Sequence, residues 1–362
     1  MRPLLEAFEA KKTAALARAL SIVENRRSGA DELLAALHSR MGHARRIGVT
    51  GPPGAGKSTL ATVMVAAFRA RNETVAVLAV DPTSPFTGGA LLGDRIRMES
   101  VALDPGVFIR SMATRGSLGG LAAAAREAAD VLDAFGFDHV LIETVGVGQS
   151  ELDIARTADS SIVVLVPESG DSIQTLKAGL MEIADIFVVN KADRPGADRV
   201  RMDIEMMLGL RMGASNHVPA HHGIDLQAMA DAKREETRRA MNPARAARDA
   251  AKADAPEQWT PPVLGTIAQR GEGVEAVLEA IDRHFHYLAT SGTLRERRRA
   301  RLRERVIEVT ESLVRGRLWN DAGTRAMLDE RLDAVERGEQ SPFVVAQELL
   351  ARSGATLTRT DG

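Results

Sequence analysis

The chain has 362 residues, of which 44% are hydrophobic, so it can bury a sizeable core in two or three structural units. Its formal net charge of −2 gives no electrostatic reason to expect binding to nucleic acid or to an anionic membrane. It contains no cysteine, which excludes disulfides and thiolate metal sites. Because no apolar run approaches about 20 residues and the N-terminus does not resemble a leader, we predict a cytoplasmic protein.

The first predicted element is a helical segment over residues 1–42, where apolar residues recur at helical spacing. Apolar strands then alternate with helices over residues 43–290, which is typical of an α/β fold with a mostly parallel sheet. Residues 211–260 are polar and interrupt this alternation, so we interpret them as an inserted excursion. The predicted strands are 46–50, 75–80, 107–110, 139–143, 161–166, 186–190 and 262–267.

Between the first predicted strand and the helix after it, residues 51–58 read Gly-Pro-Pro-Gly-Ala-Gly-Lys-Ser, a complete GxxxxGK[ST] phosphate loop. Its glycines allow several backbone N–H groups to point inward at a helix N-terminus, where anions bind. We expect Lys57 to reach the β- and γ-phosphates and Ser58 to take one Mg²⁺ position. The predicted phosphate-binding residues are Gly54, Ala55, Gly56, Lys57, Ser58 and Thr59.

Two later strands lead into carboxylates. Asp81 follows the strand 75–80, with Asp94 further along the same loop, and the strand 139–143 ends at Glu143. An acidic residue at a strand end with a glycine three positions on is typical of the magnesium and γ-phosphate switch of P-loop proteins. Asp81 has a second interpretation, as an ordinary turn residue before a proline.

The strand 186–190 leads into Asn190-Lys191-Ala192-Asp193. In NKxD GTPases the aspartate accepts hydrogen bonds from guanine N1–H and the 2-amino group, and adenine would leave that carboxylate unpaired. We expect Asn190 to brace neighbouring loops and the Lys191 stem to lie over the base. The predicted nucleotide is therefore GTP rather than ATP.

Residues 291–362 form a predicted helical region that begins with closely spaced arginines. Beneath those charges an apolar stripe from Leu302 onwards keeps helical spacing, and no aromatic platform for RNA accompanies it. We interpret the region as helices that dock on a partner subunit rather than as an RNA-binding arm.

Together these strings resemble the MeaB/ArgK-type GTPases, bacterial relatives of the human methylmalonic aciduria type A protein. The resemblance covers nearly the whole chain, and Glu-Thr-Val-Gly-Val-Gly-Gln-Ser-Glu is its most specific string. The matching stretches are 15–26, 51–58, 80–85, 115–121, 143–151, 170–179, 190–193 and 270–274.

The resemblance implies a homodimeric GTPase, joined through its C-terminal helices, that binds an adenosylcobalamin-dependent acyl-CoA mutase. Methylmalonyl-CoA mutase is the default client. Such a protein gates cofactor delivery from an adenosyltransferase, protects the mutase and helps to reactivate it. The resemblance also implies a Mg²⁺ site formed by Ser58, Asp81, Asp94 and Glu143. A further switch segment would contain Asp171, Gln174 and Lys177.

Two departures from the family pattern stand out. The family has a Ser-Ala pair in the guanine-contacting loop, whereas this chain reads Thr266-Ile267-Ala268, so we expect the Ala268 backbone amide to meet guanine O6. The stretch 167–170, Pro-Glu-Ser-Gly, lacks the glycine-richer segment expected there.

The leading hypothesis is slow GTP hydrolysis used as a switch, with Lys57, Mg²⁺ and backbone amides stabilising the developing charge. Gln149 is a candidate for positioning the attacking water, and a contact with solvent or a partner is the alternative. The predicted catalytic residues are Lys57, Glu143, Gln149 and Lys177. Two other functions stay open: an ATP-dependent kinase or transport ATPase, as the ArgK label suggests, and a nickel-type metallochaperone GTPase.

Overall fold

The structure is a computed structural model that describes residues 1–81, 98, 100–113, 120–144, 157–167, 179–211 and 258–352. Its strands are β1 (Arg45–Thr50), β2 (Val75–Asp81), β3 (Val107–Ala113), β4 (His139–Thr144), β5 (Ser160–Leu165), β6 (Ile186–Asn190) and β7 (Val263–Thr266). Its helices are α1 (Arg2–Glu9), α2 (Thr13–Glu24), α3 (Ala30–Leu37), α4 (Lys57–Ala70), α5 (Gly120–Phe135), α6 (Met181–Ile183), α7 (Ala197–Arg211), α8 (Val274–Thr290), α9 (Thr293–Asn320), α10 (Ala322–Glu336) and α11 (Pro342–Arg352).

The strands form one sheet in the order β3-β2-β4-β1-β5-β6-β7, and every neighbouring pair is parallel. This confirms the predicted α/β class. Strands β2–β4 lie on one side of β1 and strands β5–β7 on the other, so the strand order reverses at β1. Open α/β sheets bind ligands at the carboxyl ends of the strands near such a point. The loop after β1 is the predicted phosphate loop.

Alternate side chains of each strand enter different cores, because successive residues of a strand point to opposite faces of the sheet. On one face, Ile47 and Val49 of β1 pack with α4 and α8. The opposite face is covered in two parts: α1–α3 and α5 lie over β2 and β4, and α7 lies over β5 and β6. Burial on both faces explains why the strands read as continuous apolar runs.

The N-terminal helices contribute to one of these cores. Phe8 of α1 meets Phe135 of α5 edge to face, with ring centroids 5.0 Å apart. Leu16 and Leu20 of α2 are fully buried in the same cluster. The chain divides into two compact units, Met1–Leu294 and a second that begins at Arg295. The boundaries expected after residues 42 and 290 remain predictions.

The start of β1 is held by one buried carboxylate. Asp133 of α5 accepts hydrogen bonds from the backbone N–H groups of Gly42, His43 and Ala44 at 2.8, 3.0 and 2.9 Å. It also pairs with Arg46, whose guanidinium donates to Asp133 at 3.0 Å. Burial alone would lower the pKa of Arg46, but the carboxylates of Asp130 and Asp133 outweigh it and raise that pKa. This network fixes the strand that leads into the phosphate loop.

None of the helices in the described part of the chain is both long enough and apolar enough to cross a membrane. Most of the predicted excursion, residues 212–257, lies outside the described residues.

Candidate functional site

The phosphate loop has a backbone that only glycine adopts easily. Gly51, Gly54 and Gly56 have φ angles of 138°, 75° and 84°. At two of them a side chain would also collide with the protein: a Cβ on Gly51 would lie 2.1 Å from the Val164 carbonyl oxygen, and one on Gly56 would lie 2.4 Å from Asn190 Nδ2. These glycines therefore let the loop lie close to β5 and β6. Helix α4 begins at Lys57, directly after Gly56.

Lys57 lies across the inside of this loop. Its ammonium donates to the Gly51 carbonyl at 2.8 Å and to the Pro52 carbonyl at 3.0 Å, and the residue is buried. The charge is thus held beside the N-terminus of α4, where the helix dipole and backbone N–H groups favour an anion.

Ser58 and Glu143 meet at the same edge of the sheet. The Ser58 hydroxyl donates to Glu143 Oε1 at 2.6 Å, and both side chains are buried. The contact follows from the pairing of β1 with β4, which places Val49 opposite Glu143. A hydroxyl and a carboxylate oxygen are hard ligands of the type that Mg²⁺ prefers, so this pair fits the predicted metal site.

The other predicted metal and switch residues are described only in part. Asp81 is the last residue of β2, and the pairing of Val80 with Thr144 puts its backbone at the edge that carries Glu143. Asp94, Gln149 and Lys177 lie outside the described residues, so their roles remain predictions.

Asn190 connects three loops at the end of β6. Its Nδ2 donates to the Ala55 carbonyl of the phosphate loop at 2.9 Å. Its Oδ1 accepts from the Thr266 hydroxyl at 3.2 Å and from the Ala268 backbone N–H at 3.1 Å. A contact between that amide and guanine O6 would have to share the hydrogen with Asn190. The NKxD motif and the phosphate loop are thereby joined into one site.

Lys191 and Asp193 follow Asn190 on the rim of the site. Lys191 has a φ angle of 57°, in the left-handed region that a non-glycine residue seldom adopts. Asp193 Oδ2 lies 3.7 Å from a terminal guanidinium nitrogen of Arg270, on the loop after β7. The motifs had not assigned a role to Thr266 or Arg270. Thr266 lies eight residues and Arg270 four residues before Val274, the first residue of α8. This position is a weak signal, because it does not indicate what either side chain contacts.

A parallel sheet with a glycine-rich loop after its central strand, a buried Lys–Ser pair in that loop and a carboxylate on the adjacent strand defines a P-loop nucleotide-binding protein. A family model described as the methylmalonyl Co-A mutase-associated GTPase MeaB matches residues 16–323. The chain belongs to this family and is a GTPase. The resemblance expected from the sequence motifs is confirmed.

Individual relatives agree with this assignment. A Pyrococcus abyssi protein whose name places it among the GTPases is 41% identical over 347 residues, covering 96% of this chain and 95% of its own. The GTPase ArgK of Escherichia coli is 45% identical over 184 residues, covering 50% of this chain and 56% of its own. The mitochondrial methylmalonic aciduria type A homolog of Mus musculus is 32% identical over 253 residues, covering 70% of this chain and 52% of its own.

A solved structure supports the fold. The crystal structure of a protein named LAO/AO transport system kinase is 27% identical in sequence and superposes with a TM-score of 0.62. The match covers 97% of this chain and 96% of that protein.

Proposed function

We propose that this GTPase is a slow molecular switch that binds an adenosylcobalamin-dependent acyl-CoA mutase, with methylmalonyl-CoA mutase as the first candidate. It would gate cofactor loading from an adenosyltransferase, protect the mutase and assist its reactivation in the cytoplasm. The family description and the name of the mouse relative support the mutase. The observation that carries the switch is the hydrogen bond between Ser58 and Glu143, because it links the phosphate loop to the string Glu-Thr-Val-Gly-Val-Gly-Gln-Ser-Glu.

In this proposal the phosphates of GTP bind the backbone N–H groups at the start of α4. Lys57 exchanges its two carbonyl partners for the β- and γ-phosphates, where its charge opposes the charge that develops during hydrolysis. Ser58 and Glu143 would hold Mg²⁺ together with Asp81 and Asp94. The metal ion would supply neutralisation of the phosphate charge.

Guanine is proposed to lie between the loops after β6 and β7. Asp193 would accept hydrogen bonds from guanine N1–H and the 2-amino group, and the Lys191 stem would cover the ring. Asn190 supports this arrangement, because its contacts to Ala55 and Ala268 hold the two loops at a set distance from the phosphate loop.

The C-terminal unit is proposed to join two copies of the chain. On α9, Leu302, Val306, Val309 and Leu313 are exposed, and their spacing of four, three and four residues forms a single stripe. Such spacing is the pattern by which helices pair along an apolar seam. The same stripe on α9 of a second copy has the length and the apolar character needed to cover it.

Comparison of GTPase rates with and without purified candidate mutases tests the proposal. Gln149 lies three residues after Gly146, the glycine three positions on from Glu143, rather than directly after it. We therefore expect a low intrinsic rate that rises on addition of the cognate mutase. Co-purification against a panel of cobalamin-dependent mutases would identify the client. A fast rate that no mutase changes would contradict the proposal.

The name of the structurally similar LAO/AO transport system kinase gives a specific reason to test an ATP-dependent function. That function requires an adenine site. Adenine has neither the N1–H nor the 2-amino group of guanine, so the Asp193 carboxylate would be left without hydrogen-bond donors from the base. Comparing GDP and ADP affinity by calorimetry separates the two, since tighter binding of ADP would favour the kinase. A nickel-type metallochaperone is separated from both by metal content after purification.

A further inference from the structure

Arg270 bridges two carboxylates on the rim where guanine is proposed to bind. One terminal guanidinium nitrogen lies 3.7 Å from Asp193 Oδ2, and the other lies 3.7 Å from Glu272 Oε1. Asp193 belongs to the loop after β6 and Arg270 to the loop after β7, and these two strands are neighbours in the sheet. A cation from one loop is therefore paired with the base-reading carboxylate of the other.

The loop that carries Arg270 is closed by its own backbone. Ile267 N–H donates to the Glu272 carbonyl at 3.0 Å, and Arg270 N–H donates to the Ile267 carbonyl at 2.8 Å. At Gly273, with a φ angle of 77°, a Cβ would lie 2.3 Å from the Gly265 carbonyl oxygen. These contacts fix the point from which the Arg270 side chain extends.

The same loop is tied to the NKxD loop at two further points. Ala192 N–H donates to the Thr266 carbonyl at 3.0 Å, and Ala268 N–H donates to Asn190 Oδ1 at 3.1 Å. The two loops that carry Asp193 and Arg270 are therefore held together by hydrogen bonds to their backbones. Arg270 brings a positive charge to within 3.7 Å of the Asp193 carboxylate.

We propose that Arg270 is a positioning residue for guanine specificity. Its guanidinium holds the Asp193 carboxylate in the orientation that accepts hydrogen bonds from guanine N1–H and the 2-amino group at the same time. The inference rests on the proposed contact between Asp193 and guanine. Glu272 pairs with the other terminal nitrogen of the guanidinium and so restricts the conformations of the Arg270 side chain.

The expected effect is moderate, because the pair is partly in solvent. The Arg270 and Asp193 side chains are 61% and 40% exposed, and ion pairs of this kind contribute about two- to fivefold to an equilibrium. Without Arg270 the carboxylate is still present and still accepts one hydrogen bond. Loss of the second hydrogen bond should weaken the binding of guanine, which offers two donors, more than the binding of hypoxanthine, which offers one.

Measurement of GDP and IDP dissociation constants by calorimetry tests the proposal, since the base of IDP lacks the 2-amino group. Arg270→Ala should weaken GDP binding about two- to fivefold, weaken IDP binding less, and lose its effect at high salt. Arg270→Lys should restore part of the loss. Arg201→Ala is the matched control, because it removes an exposed arginine whose partner, Glu205, lies on the same helix. It should change neither constant.

A double-mutant cycle separates this inference from the function on which it rests. Asp193→Asn alone should weaken GDP binding about tenfold or more, because guanine loses hydrogen bonds to a charged acceptor. Arg270→Ala should then add no further loss. An equal Arg270→Ala loss in both backgrounds, or no loss in either, would overturn the role of Arg270 while leaving Asp193 as the base reader. An unchanged GDP affinity in Asp193→Asn would overturn the base contact itself.

Discussion

The Ser58 hydroxyl donates a hydrogen bond to Glu143 Oε1 at 2.6 Å, although 85 positions separate the two residues in the chain. The contact exists because β1 and β4 are neighbours and end at the same edge of the sheet. It joins Ser58, which follows Lys57 in the phosphate loop, to the first residue of the string Glu-Thr-Val-Gly-Val-Gly-Gln-Ser-Glu. A ligand that binds Ser58 would therefore change the hydrogen bonding of Glu143 directly, and the reverse also holds.

Ser58→Ala should weaken Mg²⁺ binding to the GDP-loaded protein at least about tenfold, because one hard oxygen ligand is lost. GTP hydrolysis should fall with it. Magnesium titration by calorimetry measures the first effect and phosphate release the second. Thr62→Val is the matched control, because the Thr62 hydroxyl, one turn along α4, donates to the Ser58 carbonyl at 2.8 Å and faces no proposed ligand. Equal magnesium affinity in Ser58→Ala and the wild type would remove Ser58 from the metal site.

Gly56→Ala should destabilise the nucleotide-free protein more than Gly54→Ala. Both residues have left-handed φ angles, so an alanine costs about 1–2 kcal/mol at either position. Only at Gly56 would the added methyl group also meet Asn190, at 2.4 Å, whereas a Cβ on Gly54 has no neighbour within 4 Å in the described part of the protein. Thermal unfolding of both variants measures the difference. Equal destabilisation would show that Asn190 moves aside freely.

Leu302→Glu combined with Val306→Glu should convert the proposed dimer into monomers, because two exposed apolar side chains of α9 would be replaced by charges that repel each other between the paired helices. Light scattering coupled to size-exclusion chromatography gives the mass directly. Leu103→Glu is the control, since Leu103 is 94% exposed and lies in the other compact unit. If the double variant and the wild type have the same mass, α9 does not join the copies.

His139 should make the protein less stable at mildly acidic pH. Burial lowers the pKa of His139 below its ordinary value and outweighs the hydrogen bond to Glu73, which lies 3.0 Å from His139 Nε2. The His139 ring also stacks on Phe68, with centroids 4.0 Å apart. Because the pKa is lower in the folded than in the unfolded chain, the stabilisation is present above about pH 6.5 and is lost as the pH falls towards the folded pKa.

The free energy of unfolding of His139→Gln should therefore decrease less between about pH 7.5 and 5 than that of the wild type. Urea unfolding at a series of pH values gives both slopes. His286→Gln, the same substitution at an exposed histidine of α8, is the matched control. Identical slopes for His139→Gln and the wild type would mean that protonation of His139 is not linked to folding.

Local patterns were sufficient to place most of the elements. All seven predicted strands are present, and β2, β3, β4 and β6 begin at the predicted residues. A strand buried on both faces needs a continuous apolar run, which can be recognised without knowing its neighbours. Strand β3 extends to Ala113, beyond the predicted end at residue 110, since its ladder with β2 continues to Asp81. The phosphate loop could also be predicted from the sequence, because its glycines are required by the local backbone conformation.

The sequence by itself thus determined the α/β class, the phosphate loop, the family and the residue types suited to GTP. Only the tertiary structure decided that β4 lies beside β1, that Asn190 reaches both Ala55 and Ala268, and that Arg270 faces Asp193. It also decided that the N-terminal helices cover the sheet together with α5. The reason is physical: helical and strand periodicity reports which face of an element is buried, whereas strand order and loop contacts depend on packing between segments far apart in the chain.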